Sequence, residues 1–168
     1  MSRSGFSLTE LLISVAILAV IAGIGATTYI DQLSRGRDQT RMADIARIQS
    51  ALEKFRADHG EYPAEQAWCE TSIGSCGHNC PCTGGEVTGN WHPNSLGAKL
   101  VPNYLVEIPV DPINDTGFYY YYEPVADDGN EYTACGRTLR CETVGAGLCA
   151  YALSARLEDG TVYEVCNQ

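Results

Sequence analysis

The sequence predicts an α+β fold in which a long N-terminal helix packs against a small C-terminal antiparallel sheet. Residues 11–30 form twenty consecutive positions without a charge, and apolar residues recur with helical spacing beyond them. The last fifty residues alternate in the manner of short strands. All eight cysteines lie after residue 68, in the part that is expected to be globular, and none lies in the first third. The chain therefore divides into an apolar N-terminal helix and a cysteine-bearing globular part.

Composition excludes two broad classes of protein. The chain of 168 residues is 45% hydrophobic and 19% charged, which is typical of a globular protein rather than a disordered one. Eleven Lys and Arg residues stand against 21 Asp and Glu residues, for a formal charge of −10. Such a field repels polyanions, so direct nucleic-acid binding is not expected.

The uncharged segment 11–30 is long enough to cross a membrane. Twenty residues at about 1.5 Å each span about 30 Å, the thickness of a bilayer core. A cleaved signal peptide is less favoured, because its apolar core has only about 7–15 residues. Arg35 and Arg37 beyond the segment would place the C-terminal part inside the cell, but eight cysteines favour an oxidising compartment. The sequence predicts a single-pass protein of the cytoplasmic membrane with its C-terminal domain outside.

Glu10 is the feature that a simple anchor does not explain. It stands at the edge of the apolar segment, where an unpaired carboxylate in lipid costs up to about 2.5–3.5 kcal/mol, and no Lys or Arg lies in helical reach on the apolar side. Residues 5–12, Gly-Phe-Ser-Leu-Thr-Glu-Leu-Leu, resemble the prepilin cleavage and methylation motif of type IV pilins and type II secretion pseudopilins. The resemblance implies a cation for Glu10, namely the N-terminal amine of a neighbouring subunit.

The resemblance implies a route of processing and assembly. A prepilin peptidase would cut between Gly5 and Phe6 and methylate the Phe6 amine, and Glu10 would pair with the N-terminus of a neighbouring subunit. The chain would then comprise a leader (1–5), a transmembrane and filament-core helix (6–30), an amphipathic stem helix with its closing turn (31–63) and a cysteine-rich head (64–168).

The function implied is that of a structural subunit of a type IV pilus or pseudopilus. Such a homo-oligomeric helical filament serves adhesion, motility, DNA uptake or protein secretion. Besides the peptidase, the expected partners are a membrane assembly platform and, before assembly, the lipid bilayer. The alternative is a monomeric membrane-anchored extracellular binding domain that uses residues 64–105 for a ligand.

The stem helix is predicted from one apolar stripe. Its members lie three or four residues apart, with charged residues such as Arg41 and Asp44 between them. We expect the helix to end at residues 58–60, because Gly60 suits the left-handed cap position and Pro63 cannot continue a helix. The stripe consists of Met42, Ile45, Ile48, Leu52 and Phe55.

The cysteines are read as disulfide candidates. Eight cysteines allow 105 pairings, so no connectivity is predicted. A zinc site is the alternative for part of the set, but the spacing of Cys76, His78, Cys80 and Cys82 does not match the usual paired knuckles. The full set of candidates is Cys69, Cys76, Cys80, Cys82, Cys135, Cys141, Cys149 and Cys166.

Four strands are predicted in the C-terminal part, at residues 118–123, 131–135, 148–157 and 161–166. The last two form a hairpin around Asp159-Gly160, which is a strong hairpin signal. One face of the sheet is expected to pack on the stem. In the first strand Tyr119 and Tyr121 would lie on the face opposite Tyr120 and Tyr122, so one pair would be buried.

No enzyme and no cofactor are predicted. The sequence contains no phosphate loop, zinc-protease helix or nucleophile elbow. Asp127, Asp128 and Asn130 are oxygen-bearing calcium candidates, but their spacing is not that of the twelve-residue calcium loop, and an acidic turn is the commoner reason for such residues.

Overall fold

The structure, a computed structural model, describes residues 7–64, 72–73, 96–115, 117–126, 131–141 and 147–167, with the backbone alone at residues 22, 24–28, 72 and 73. Two compact units, Met1–Arg37 and Asp38–Gln168, divide the chain. The predicted α+β fold is confirmed. Its elements are α1 (Leu8–His59), β1 (Ser72–Ile73), α2 (Leu96–Leu100), β2 (Tyr120–Ala126), β3 (Tyr132–Ala134), β4 (Arg137–Leu139), β5 (Leu148–Arg156) and β6 (Val162–Cys166).

Helix α1 ends where the sequence predicts. Its last residue is His59, and the Gly60 amide donates to the Arg56 carbonyl at 2.8 Å. Gly60 has φ +83°, a left-handed conformation that costs glycine little because it has no Cβ. Two residues later the Tyr62 amide donates to the Leu148 carbonyl at 2.8 Å. The chain leaving the helix is therefore held against the start of β5.

The main sheet is antiparallel, with strand order β1-β2-β5-β6. The predicted alternation in β2 is confirmed, because Tyr120 and Tyr122 are fully buried whereas Tyr119 and Tyr121 are partly exposed. The strand begins two residues later than predicted, since the Phe118 amide and carbonyl are both engaged in a turn with Asp115.

Strand β2 also runs three residues beyond the predicted end, through Pro124. Proline has no amide hydrogen and is tolerated in a sheet only where no ladder partner needs one. Pro124 pairs with Tyr151 of β5 on one side, whereas β1 reaches only Tyr120 and Tyr121 on the other. Among the described residues, the β1 side of Pro124 is thus a free edge, which explains why the strand continues.

The predicted β5–β6 hairpin is confirmed, with each strand one residue shorter at the turn. The Leu157 amide donates to the Thr161 carbonyl at 2.8 Å, and Gly160 takes φ +85°. The Asp159 carboxylate accepts from the amide and hydroxyl of Thr161 at 2.9 and 2.6 Å. These bonds hold the pKa of Asp159 below its usual range.

A second hairpin, β3–β4, includes a strand that the sequence analysis missed. Its two turn residues, Cys135 and Gly136, have φ +53° and +69°, the signs of a type I′ turn. Cysteine is not one of the residues that normally mark this turn, so the signal was absent. Ala134 and Leu139 of the hairpin pack on Ala152, whose neighbour Leu153 belongs to the core on the other face of the sheet.

The main core lies between α1 and the inner face of the sheet, as predicted. Fully burying a large apolar side chain contributes about 1.5–3 kcal/mol. Helix α2, within a stretch that gave no clear sequence signal, adds two buried leucines. The core comprises Ile45, Ile48, Ala51, Leu52, Tyr62, Leu96, Leu100, Ile108, Tyr120, Tyr122, Tyr151, Leu153 and Ala155.

The predicted stripe is wrong at its N-terminal end. Met42 is 38% exposed, whereas Arg41, assigned to the charged positions, is fully buried. Arg41 lies four residues before Ile45 and seven before Ile48, so it occupies the stripe by helical spacing. The prediction was wrong because Arg41 was assigned to the exposed positions by its charge, although its helical position lies on the buried stripe.

The Arg41 guanidinium binds carboxylates from three parts of the chain. Nε and Nη2 donate to Asp111 Oδ2 and Oδ1 at 2.7 and 3.2 Å, and Nη1 donates to Asp38 at 2.8 Å and to Glu158 at 3.0 Å. Its Cζ lies 4.5 Å from the centroid of the Phe118 ring. Burial alone would lower the pKa of Arg41, but the bonds to these carboxylates raise it above its usual range. The side chain is therefore permanently charged and fully engaged.

We expect Arg41→Met to destabilise the second unit by about 3–5 kcal/mol, because it leaves the buried Asp111 carboxylate without its cation. Arg47→Met is the matched control. It removes an arginine that is 54% exposed and pairs only with Asp44 among the described residues, so its cost should be below about 1 kcal/mol. Urea unfolding of the full chain in detergent, followed by circular dichroism, measures both. Equal losses for the two variants would contradict the assigned role of Arg41.

Candidate functional site

Glu10 lies in the first turn of α1. The Ser7 carbonyl accepts from the amides of Glu10 and Leu11 at 3.1 and 3.2 Å, which begins the helix. A carboxylate is favoured at this end by the helix dipole. The Glu10 side chain is exposed, and no residue in the described part of the chain forms an ion pair or hydrogen bond with its carboxylate. It is therefore available to a cation from outside the described residues.

The helix around Glu10 presents a continuous apolar surface. Large apolar side chains at successive positions, such as 11, 12 and 13, point in different directions around the helix, so the apolar surface is not limited to one face. Soluble helices do not leave such a surface in water; lipid or other helices cover it. The side chains more than half exposed are Leu8, Leu11, Leu12, Ile13, Val15, Ile17, Leu18, Val20, Ile21, Tyr29 and Ile30.

The structure does not add support for a membrane span. Across the ranges that it describes, no helix combines the length and hydropathy that crossing a bilayer requires. The span at residues 11–30 stays a prediction.

Several predicted site residues lie outside the described residues. They include the cleavage and methylation pair Gly5 and Phe6 and the calcium candidates Asp127, Asp128 and Asn130. The cysteines of the first cluster, Cys69, Cys76, Cys80 and Cys82, lie outside them as well, and so does His78 of the zinc alternative. Within the described ranges, no three His, Cys, Asp or Glu side chains converge to hold a metal ion.

The other four cysteine candidates form two disulfides. Cys135 bonds to Cys166, with 6.3 Å between their Cα atoms, and Cys141 bonds to Cys149, with 5.6 Å. The first bridge ties the β3–β4 turn to the end of β6. Both bridges agree with the oxidising compartment that the cysteine count indicates.

A second polar cluster is built on Glu53. Its carboxylate accepts from the Tyr62 hydroxyl at 3.0 Å and from the Tyr151 hydroxyl at 3.1 Å, while Arg56 donates to the Tyr62 oxygen at 3.2 Å. The Tyr62 and Tyr151 rings meet edge to face, 4.7 Å between centroids. The sequence analysis missed this cluster because its partners are up to 98 residues apart and no local pattern joins them.

The buried phenols of the second unit ionise with difficulty. Burial raises the pKa of Tyr62 to about 12; the Arg56 hydrogen bond opposes this rise and Glu53 adds to it. Burial, reinforced by Glu53, raises the pKa of Tyr151 well above its usual range. Tyr120 donates to Asp44 at 2.9 Å, and burial together with this carboxylate raises its pKa in the same way. All three therefore stay neutral in the folded state at any physiological pH.

The N-terminal motif, and most of the chain, are similar to known proteins. Residues 1–26 match the family model described as the prokaryotic N-terminal methylation motif. The type II secretion system core protein G of Pseudomonas aeruginosa is 26% identical over 122 residues, covering 73% of this chain and 75% of the relative. No solved structure matches.

Shorter matches link the chain to proteins of the same name in other bacteria. The core protein G of Aeromonas hydrophila is 25% identical over 38% of this chain and 45% of its own length. That of Pectobacterium carotovorum is 27% identical over 38% of this chain and 41% of its own length. The match thus spans less than half of these two relatives.

We expect Tyr62 to contribute a loss of stability of the second unit in alkali between pH 10 and about 12. An unfolded phenol ionises near pH 10, whereas Tyr62 in the folded state holds its proton to about pH 12. Its contribution is therefore complete below pH 10 and falls by about 1.4 kcal/mol per pH unit above it.

In Tyr62→Phe, the fall in the free energy of unfolding between pH 10 and about 12 should be smaller by about 1.4 kcal/mol per pH unit. Urea unfolding of the full chain at pH 9, 10, 11 and 12 measures the slope, and recovery of the signal on return to pH 7 is the control for irreversible damage. An unchanged slope in Tyr62→Phe would contradict the raised pKa.

Proposed function

We propose that this chain, a member of the type IV pilin and type II secretion pseudopilin family by its N-terminal motif and its sequence relatives, is a filament subunit of a protein-secretion machine. The observation that carries the proposal is a motif of cleavage and methylation leading directly into a helix whose apolar surface is uncovered. Neither feature serves an isolated globular domain. Together they suit a subunit that leaves lipid to pack against copies of itself.

Burial of the apolar helix supplies the driving force for assembly. At about 25 cal/mol per Å², a few hundred Å² of helix contact with each neighbour outweighs any surface ion pair. The eleven exposed large apolar side chains that the structure describes between Leu8 and Ile30 offer contact area on several sides of the helix. Hydrophobic helix packing therefore holds the filament together, and polar groups set its register.

Glu10 sets that register by pairing with the N-terminal amine of a neighbouring subunit. The exposed carboxylate, without a cation among the residues described, supports this role. Cleavage after Gly5 would remove Arg3 and expose the Phe6 amine, which methylation keeps as a cation. Once filament packing excludes water, an unpaired Glu10 is costly, so correctly staggered neighbours are selected.

Before assembly the chain lies in the cytoplasmic membrane with its second unit outside; after assembly it is part of an extracellular filament. The uncharged residues 11–30 and the two disulfides support these locations. The partners at this stage are the bilayer, the prepilin peptidase and the assembly platform. The work of the protein is assembly rather than catalysis.

Within the family, the named relatives favour a pseudopilus over an adhesive or motile pilus. The core protein G matched over most of its length belongs to a type II secretion system by its name. A monomeric membrane-anchored binding domain would need neither processing nor Glu10, so the two experiments below separate it from a filament subunit.

Intact mass and N-terminal sequencing of the protein from its native cell test the processing route. We expect a chain that begins at N-methylated Phe6. The mass should rise on reduction by at least four hydrogens, for the bridges Cys135–Cys166 and Cys141–Cys149. A chain still beginning at Met1 with free thiols would overturn both the filament subunit and its outward orientation.

Glu10→Gln tests the pairing role. We expect incorporation into sheared filaments to fall by about tenfold or more, because the amine loses its countercharge where water is excluded, while membrane insertion is unchanged. Asp31→Asn removes the acid at the other end of the apolar segment and should leave incorporation intact. Immunoblots of filament and membrane fractions measure both, and normal incorporation of Glu10→Gln would disprove the pairing.

A further inference from the structure

An open groove lies on the outer face of the main sheet, the face turned away from α1. Its volume is about 470 Å³, and among the residues that line it are Tyr119, Tyr121, Ser154, Arg156 and Val162. The β3–β4 hairpin covers the neighbouring part of this face at Ala152. No described residue covers the groove itself in the same way.

Arg156 gives the groove its chemical character. It ends β5 with an exposed side chain, and its guanidinium has no hydrogen-bond or ion-pair partner in the described part of the chain. Residues 38–168 contain 19 acidic and eight basic side chains, so a positively charged group is in the minority on this surface. Beside it, Val162 is 62% exposed and offers apolar contact. The groove therefore suits a ligand that carries a carboxylate next to a small apolar group.

This chain has a carboxylate next to a small apolar side chain at another exposed position, residues 106 and 107. Val106 is 90% exposed, and the carboxylate of the exposed Glu107 has no partner among the described residues. This tip is held firmly on both sides, because Leu105 packs against the core and Ile108 is only 6% exposed. Burying Val106 against a partner is favourable, because it removes apolar surface from water.

We propose that the Val106–Glu107 tip of one copy docks into the Arg156 groove of a second copy. Val106 packs against Val162 and the tyrosine rings, and the Glu107 carboxylate binds the Arg156 guanidinium. The two surfaces are different parts of the chain, so the contact is heterologous and can repeat from copy to copy without closing. It rests on the proposed function in that it adds a contact between heads to the packing of filament helices.

Charge reversal tests the pair within filaments. Glu107→Arg and Arg156→Glu should each lower the yield of sheared filaments by about threefold or more, since like charges then face each other. The double variant restores the pair and should recover the yield. Glu131→Arg and Arg140→Glu, which make the same charge changes at other exposed positions of the second unit, should leave it unchanged. Single reversals that match these controls would overturn the proposal.

Photo-crosslinking separates failure of the contact from failure of the filament. A photoreactive phenylalanine derivative replaces Val106 in the full chain in its native cell, and mass spectrometry maps the crosslinks to a second copy. We expect them at residues 117–121 and 154–162, and absent when the derivative replaces Ile113, which is 40% exposed. Filaments without these crosslinks would overturn the contact alone. Crosslinked pairs without filaments would support the contact and overturn the proposed function.

Discussion

The buried guanidinium of Arg41 joins three segments that are far apart in sequence. It binds Asp38 one turn away on the same helix, Asp111 seventy residues later and Glu158 in the turn between β5 and β6. Removing these charges from water is costly, and the cost is offset only when all the partners arrive together. The network therefore stabilises a partly folded chain very little, but it fixes the register of the segments in the folded chain. The helix, the segment around Asp111 and the β5–β6 turn therefore have one mutual position in which all these charges are paired.

Local signals in the sequence were enough for the elements that depend on local chemistry. The end of α1 at Gly60, the β5–β6 turn at Asp159-Gly160 and the alternation of Tyr119 to Tyr122 each follow from two or three adjacent residues. The bounds of β2 and the burial of Arg41 depend on partners elsewhere in the chain. No local pattern predicts that Pro124 lies at a free edge of the sheet, or that Arg41 on the apolar stripe binds three carboxylates.

The functional features divide in the same way. The prepilin motif around Glu10 is contiguous and could be found from the sequence alone. The groove at Arg156 could not, because its lining comes from β2, β5 and β6.

Apolar character and acidity are also segregated along the chain. Residues 1–37 carry three basic and two acidic side chains, whereas the remainder is strongly acidic. In the proposed filament, mutual repulsion between these acidic units would oppose the association that the apolar helix favours, so contacts between them would need specific complementary pairs.

The nested arrangement of the two described disulfides limits what a single proteolytic cut can release. Cys141–Cys149 lies within the loop that Cys135–Cys166 closes. A single cut of the backbone between residues 135 and 166 leaves its two products covalently joined, and a cut between 141 and 149 leaves them joined twice. Strand β6 therefore stays attached to a nicked subunit. A cut within this loop therefore releases no fragment until the bridges are reduced.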